Sequence, residues 1–120
     1  MTEPAVTFLV VAEDGTSHEH RHRMGGTDRI GDVLRAAVGG WLEAIPVADP
    51  TLALWCDEDG RPRRRTVNPV GSRLAVLLGG RPAAYVGPIV VTGRRRHTVV
   101  SLTEAQIAQL LAALHRCRQG

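Results

Sequence analysis

The chain has 120 residues, 15 of them basic and 12 acidic, for a net charge of +3. This length fits one domain over residues 1–120, with its core in 5–93, and needs neither disulfide nor metal. Two distant cysteines, Cys56 and Cys117, make no disulfide framework; no apolar run approaches membrane-spanning length and no signal peptide is visible, so a cytoplasmic protein without a membrane role is expected.

Val6 to Ala12 is apolar and β-branched, which predicts a strand. Glu13-Asp14-Gly15 marks a hairpin turn, and the polar run from Thr16 to Arg23 is the return strand. Thr27 or Asp28 is placed to cap a helix whose apolar face is Ile30, Val33, Leu34, Ala37 and Val38. Gly39-Gly40 stops that helix by supplying the left-handed conformation. Trp41 to Ile45 alternates as a strand, with Trp41, Glu43 and Ile45 on one side, and Pro46 ends it.

Leu52 to Cys56 is a short apolar run suited to a strand buried on both faces. Asp57-Glu58-Asp59-Gly60 is a turn, and Arg63 to Val67 is expected as the second arm of a hairpin. Asn68-Pro69 starts a short helix or coil carrying Leu74, Val76, Leu77 and Leu78. Tyr85 to Thr92 is a strand interrupted at Gly87-Pro88, and Arg94-Arg95-Arg96 is a charged turn. Thr103 and Gln106 form a capping box for a C-terminal helix over residues 103–117, striped by Ile107, Leu110, Leu111 and Leu114. The order ββαββαβα predicts an α+β domain with a mixed sheet, β-grasp-like in its order, closed by a C-terminal helix. A likeness at the level of fold assigns no function.

Several motifs occur together: V-G-G-W-L-E with Gly39, Gly40, Trp41 and Glu43; D-E-D-G with Asp57, Glu58 and Gly60; Asn68, with Ser72 and Leu74 after it; and V-G-P-I-V-V from Val86. Together they resemble a family of small uncharacterised proteins of bacteriophages, plasmids and actinobacterial genomes, catalogued as a domain of unknown function. The resemblance spans about half the chain and implies no reaction. The arginine run from Arg61 to Arg65 is heavier than the family pattern.

All basic residues of the count are arginine. Arg61, Arg63, Arg64 and Arg65, extended by Arg94, Arg95 and Arg96 if the two runs lie side by side, are candidates for nucleic-acid or phosphate binding. The plainer reading is a solvated arm balanced by Asp57, Glu58 and Asp59, in a composition set by GC-rich codons. His18, His20 and His22 alternate, so one strand face carries three imidazoles within reach of a metal; the plainer reading is a polar edge strand. Glu43, sharing a face with Ile45, needs a partner if buried, and Arg73 or Arg81 are candidates. No nucleophile–base constellation, dinucleotide loop or Walker loop is present in the sequence, so no cofactor is expected. The expectation is a non-enzymatic accessory protein of phage, plasmid or mobile-element type. It would act on a protein partner or a second copy of itself, with nucleic acid or a nucleotide as the alternative ligand.

Overall fold

Among the described residues the nine elements are strands β1 (Ala5–Val11) and β2 (Ser17–Arg23), helix α1 (Ile30–Val38), strands β3 (Leu42–Ile45) and β4 (Leu52–Asp57), helix α2 (Pro69–Leu77), strands β5 (Ile89–Arg95) and β6 (Thr98–Val100), and helix α3 (Glu104–Gln119). Strands β1, β4 and β5 are apolar on both faces, and such strands must lie inside a sheet that is covered on both sides. The computed structural model, which describes residues 4–119, places all three in the middle of a six-stranded sheet ordered β2-β1-β5-β4-β3, with β6 on β5. Every pairing of named strands is antiparallel. The α+β class and the C-terminal helix are as the sequence predicts. The β-grasp likeness is one of element order.

Alternation sorts the core into two layers. Phe8 and Val90 face α1, where Leu34 and Val38 meet them. Leu9, Val11, Leu54, Ile89 and Val91 face α2 and α3, where Val70, Leu74, Leu110 and Leu114 meet them. Each fully buried aliphatic side chain stabilises the fold by about 1.5–3 kcal/mol relative to exposure. Three of the apolar residues named on α2 and α3, Val76, Leu77 and Leu111, are on the surface. Leu111 is 44% exposed, and its place in the stripe of α3 is taken by Ala113 and Cys117; Leu77 is 50% exposed on α2.

The capping predictions divide. Asn68 caps α2 by accepting from the Gly71 amide at 2.9 Å. Thr103 and Gln106 exchange both capping-box bonds. At α1 neither Thr27 nor Asp28 is the cap: Arg29 holds the position with no side-chain bond, while Asp28 accepts from the Gly25 amide at 3.2 Å.

The largest local correction is the segment Arg63 to Val67, which is not a hairpin arm. Residues 58–64 form consecutive turns, and the segment's only bridge is Val67 with Val86. The edges of β4 are already filled by β3 and β5, so no place in the sheet remains for it. The strand expected from Tyr85 begins at Ile89, after Gly87. The arginine turn opens a short hairpin into β6, an element the sequence reading omits.

Candidate functional site: an arginine-clamped carboxylate beside an open cleft

Asp57 ends β4 with its side chain fully buried. A bare carboxylate cannot be buried without partners, and three groups supply them. Oδ1 accepts from the Asp59 amide at 2.9 Å. Oδ2 accepts from Arg63 Nη1 at 3.0 Å and from Arg65 Nη1 at 2.9 Å. Burial alone would raise this carboxyl. The bond from Arg65, the Asp59 amide and the positive charge of Arg63 and Arg65 outweigh burial and hold it below its ordinary value.

The same guanidinium groups close the C-terminus of α1. Arg65 Nη1 donates to the Val38 carbonyl at 2.8 Å, and Arg63 Nη1 to that of Gly39 at 3.0 Å. Carbonyls at a helix end lack intrahelical partners and carry the negative end of the dipole, so cations are favoured there. Arg65 also approaches Glu13 in the first hairpin turn, at 3.8 Å. The paired glycines have separate reasons. Gly39 caps α1 at a φ of 83°. A Cβ on Gly40 would sit on the Asp57 carboxylate.

Asn68 is the second buried polar anchor, with no exposed surface. Its Nδ2 donates to the carbonyls of Val11 at 2.9 Å and Gly87 at 3.0 Å, while Oδ1 caps α2. One amide thereby joins the end of β1, the start of α2 and the entry to β5. Ser72 Oγ donates to the Asn68 carbonyl and accepts from the Tyr85 amide. Asp57 and Asn68 are therefore both structural anchors, held by side-chain and main-chain groups. Trp41 is turned out of the strand, 61% exposed, with the Arg35 guanidinium 4.7 Å from its ring centre.

Beside this frame lies a cleft of about 530 Å³ between β3–β4 and residues 81–86, within the size range of ligand sites. Glu43, Cys56, Glu58, Arg61, Arg81 and Tyr85 line it. Arg61 Nη2 donates to the Ala84 carbonyl at 3.1 Å, and Tyr85 Oη to that of Arg81 at 2.9 Å. Glu43 is exposed and level with Cys56 across the strand pair. Neither Arg73 nor Arg81 pairs with it; Arg73 donates instead to the Cys117 carbonyl at 2.9 Å. Among the described residues the side chains of Glu43, Glu58 and Arg81 make no hydrogen bond or ion pair. The Cys56 thiol is pushed up to about 11 by burial and then by the charges of Glu43 and Asp57, so it stays protonated and is a weak nucleophile.

The two arginine runs do not converge. Gly93 is level with Leu52 at the start of β4, whereas Asp57 is at its end. Arg94–Arg96 and Arg61–Arg65 therefore leave opposite ends of the strand, on the order of 20 Å apart. Arg64 is exposed at a φ of 56°, and Arg94, Arg95 and Arg96 are exposed on the β5–β6 hairpin. The histidines do share one face of β2, but each has its own neighbour. His18 lies 3.4 Å from Thr16 Oγ1, His20 stacks on Phe8 at 5.3 Å, and His22 is 3.7 Å from Asp28. Among the described residues no three His, Cys, Asp or Glu side chains are grouped to hold a metal ion, and no helix is long and apolar enough to cross a membrane.

The D-x₅-R-x-R spacing was the available signal for the carboxylate clamp, but its target at the end of α1 is visible only in three dimensions. The cleft has no sequence signal, because residues 81–86 reach it by chain reversal after α2. A family model described as Domain of unknown function (DUF3846) matches residues 6–115, and the chain belongs to that family. No match was found among curated proteins or among solved structures.

Proposed function

We propose that this member of the DUF3846 family is a small non-enzymatic accessory protein of phage, plasmid or mobile-element type that acts by binding a protein partner. The observation that carries this reading is the division of labour among its polar residues. Asp57, Arg63, Arg65 and Asn68 are engaged with one another and with main-chain groups. Three charged side chains without a hydrogen bond or ion pair among the described residues, Glu43, Glu58 and Arg81, line an open cleft. Unpaired charges of both signs at the rim of a concave surface suit recognition of a polar polypeptide surface.

The test is chemical crosslinking of the tagged chain in bacterial cells, followed by mass spectrometry with and without nuclease. A nuclease-resistant heterologous protein, crosslinked to cleft residues, is the expected result. Crosslinks only between copies of the chain, or material that disappears with nuclease, would overturn the reading.

Nucleic-acid binding is the second reading, and one observation favours it. The side chains of Arg94, Arg95 and Arg96 project on one hairpin, exposed and without ion pairs among the described residues. Neutralised phosphates release counterions, so true binding weakens with salt. Fluorescence anisotropy with short oligonucleotides across a salt series, comparing wild type with alanine at all three positions, decides this reading.

A further inference from the structure

We infer that the free edge of β3 takes an extended segment of a different protein, which adds a strand to the sheet and lays its side chains into the cleft. The inference rests on the protein-partner reading and gives it a surface and a chemistry.

The phase of the ladder identifies the open groups. The Glu58 amide donates to the Trp41 carbonyl at 2.8 Å, and Leu42 is level with Asp57. In an antiparallel pair this makes Glu43 and Ile45 the residues that exchange bonds with β4. The N–H and C=O groups of Leu42 and Ala44 then point away from the sheet, and among the described residues they have no other backbone partner. The opposite edge, β2, is guarded: His18 to Arg23 are all exposed and every one is charged or imidazole-bearing. On β3 only Glu43 is charged.

A second copy fits this edge poorly. Two-fold pairing centred on Glu43 sets two carboxylates face to face. Centring it on Ala44 places Leu42 opposite Pro46, which has no N–H. Centring it on Leu42 requires the Gly40 amide, which already donates to Arg35 in α1 at 3.2 Å. A heterologous strand avoids the like-charge clash, and its bonds are confined to the open groups of Leu42 and Ala44, short of the Gly40 and Pro46 ends of the edge.

Charge along the cleft sets what that strand carries. Side chains opposite Glu43 and Ile45 lean to the cleft face, two residues apart. The Glu43 end holds the unpaired carboxylates of Glu43 and Glu58, with Arg61 engaged on Ala84. Gly80 lies against the Pro46 carbonyl, so Arg81, which follows it, is at the other end of the lining. The matching segment is therefore extended and, paired antiparallel like every other strand of the sheet, reads acidic-x-basic from its N-terminal side, with the basic residue opposite Glu43 and the acidic residue opposite Ile45, toward Arg81.

The experiment is selection of a displayed random decapeptide library on the intact chain, followed by amide-exchange NMR with the enriched peptide. Enrichment of acidic-x-basic sequences that slow exchange at Leu42 and Ala44 is expected. Ala44→Pro removes one open N–H without touching the β4 ladder and should weaken binding by about tenfold or more. Because proline also restricts the strand backbone, the exposed swap Glu43→Arg with Arg81→Glu provides an independent check: it should invert the selected pattern. Peptides that bind the α2–α3 surface, or survive both variants, would overturn the edge site while leaving the protein-partner reading in place. Failure to enrich any peptide would overturn the edge site, and the crosslinking experiment then judges the broader reading alone. A dimer in sedimentation that Ala44→Pro dissolves would give the edge to a second copy and also overturn it.

Discussion

Arg65 reaches Asp57 and the end of α1 with one nitrogen: Nη1 lies 2.9 Å from Asp57 Oδ2 and 2.8 Å from the Val38 carbonyl. A strand end and a helix end are thereby held by the same guanidinium. Its planar, permanently charged fork suits this shared contact, whereas a lysine ammonium is a point donor.

Removing the carboxylate should expose how much depends on it. Asp57→Asn is expected to destabilise the fold by about 3 kcal/mol, because it breaks a buried charge pair and leaves two guanidiniums facing an amide. Urea denaturation is the measurement. The pH dependence follows from the lowered carboxyl. A depressed folded-state value means the contribution is fully present above the ordinary value of 3.8 and is lost as pH falls through the folded value. Wild type should therefore lose stability in acid more steeply than Asp57→Asn, and parallel acid profiles would contradict the assignment.

The arginines should separate into structural and free groups. Arg65→Ala is expected to cost about 2–3 kcal/mol, since its bonds run to a charged group and to a helix end. Alanine at Arg64, Arg94, Arg95 or Arg96 should leave the melting temperature unchanged. Equal effects across the set would mean that the clamp does not distinguish them.

Asn68 offers a test by near-isosteric change. Asn68→Asp keeps the acceptor that caps α2 but aims a carboxylate oxygen at the carbonyls of Val11 and Gly87. It should be at least as damaging as Asn68→Ala, for which about 3–5 kcal/mol is expected from buried groups left unpaired. Thermal melts of both variants at neutral pH decide the order.

Cys56 and Cys117 are both buried, and burial raises both thiols, that of Cys56 to about 11. At pH 8 roughly a thousandth of Cys56 is thiolate even when it is reached by reagent. Neither cysteine should react with an aromatic disulfide reagent in the native protein, and both should react at once in urea. Rapid native labelling of Cys56 would show that the cleft exposes it.

Helix α3 provides a paired comparison. Leu114 is fully buried, whereas Leu111 is 44% exposed. Leu114→Ala should cost about 3 kcal/mol and Leu111→Ala well under 1, read as midpoint shifts in denaturant.

Elements whose signals are local were legible in the sequence. Gly39 closed α1, Asn68-Pro69 opened α2, and the Thr103–Gln106 pair opened α3, because each depends on residues within a few positions. The two-faced apolar run of β4 likewise required an interior place in a covered sheet. The segment Arg63 to Val67 was misread because its fate is set by competition. Both edges of β4 are occupied, and a buried carboxylate draws the arginines into turns. Leu111 was misplaced for a related reason: periodicity locates a stripe, but the sheet decides which side of the stripe is covered.

By itself, then, the sequence determined most of the elements, the α+β class and the caps at Gly39, Asn68 and Thr103, since alternation, helical spacing and capping act within a few residues. The tertiary structure alone decided that Arg63 and Arg65 meet Asp57, that the two arginine runs lie at opposite ends of a strand, and that Glu43, Glu58 and Arg81 are left facing one cleft. Those outcomes join residues far apart in the chain, and only strand order and chain reversal bring such residues together or keep them apart.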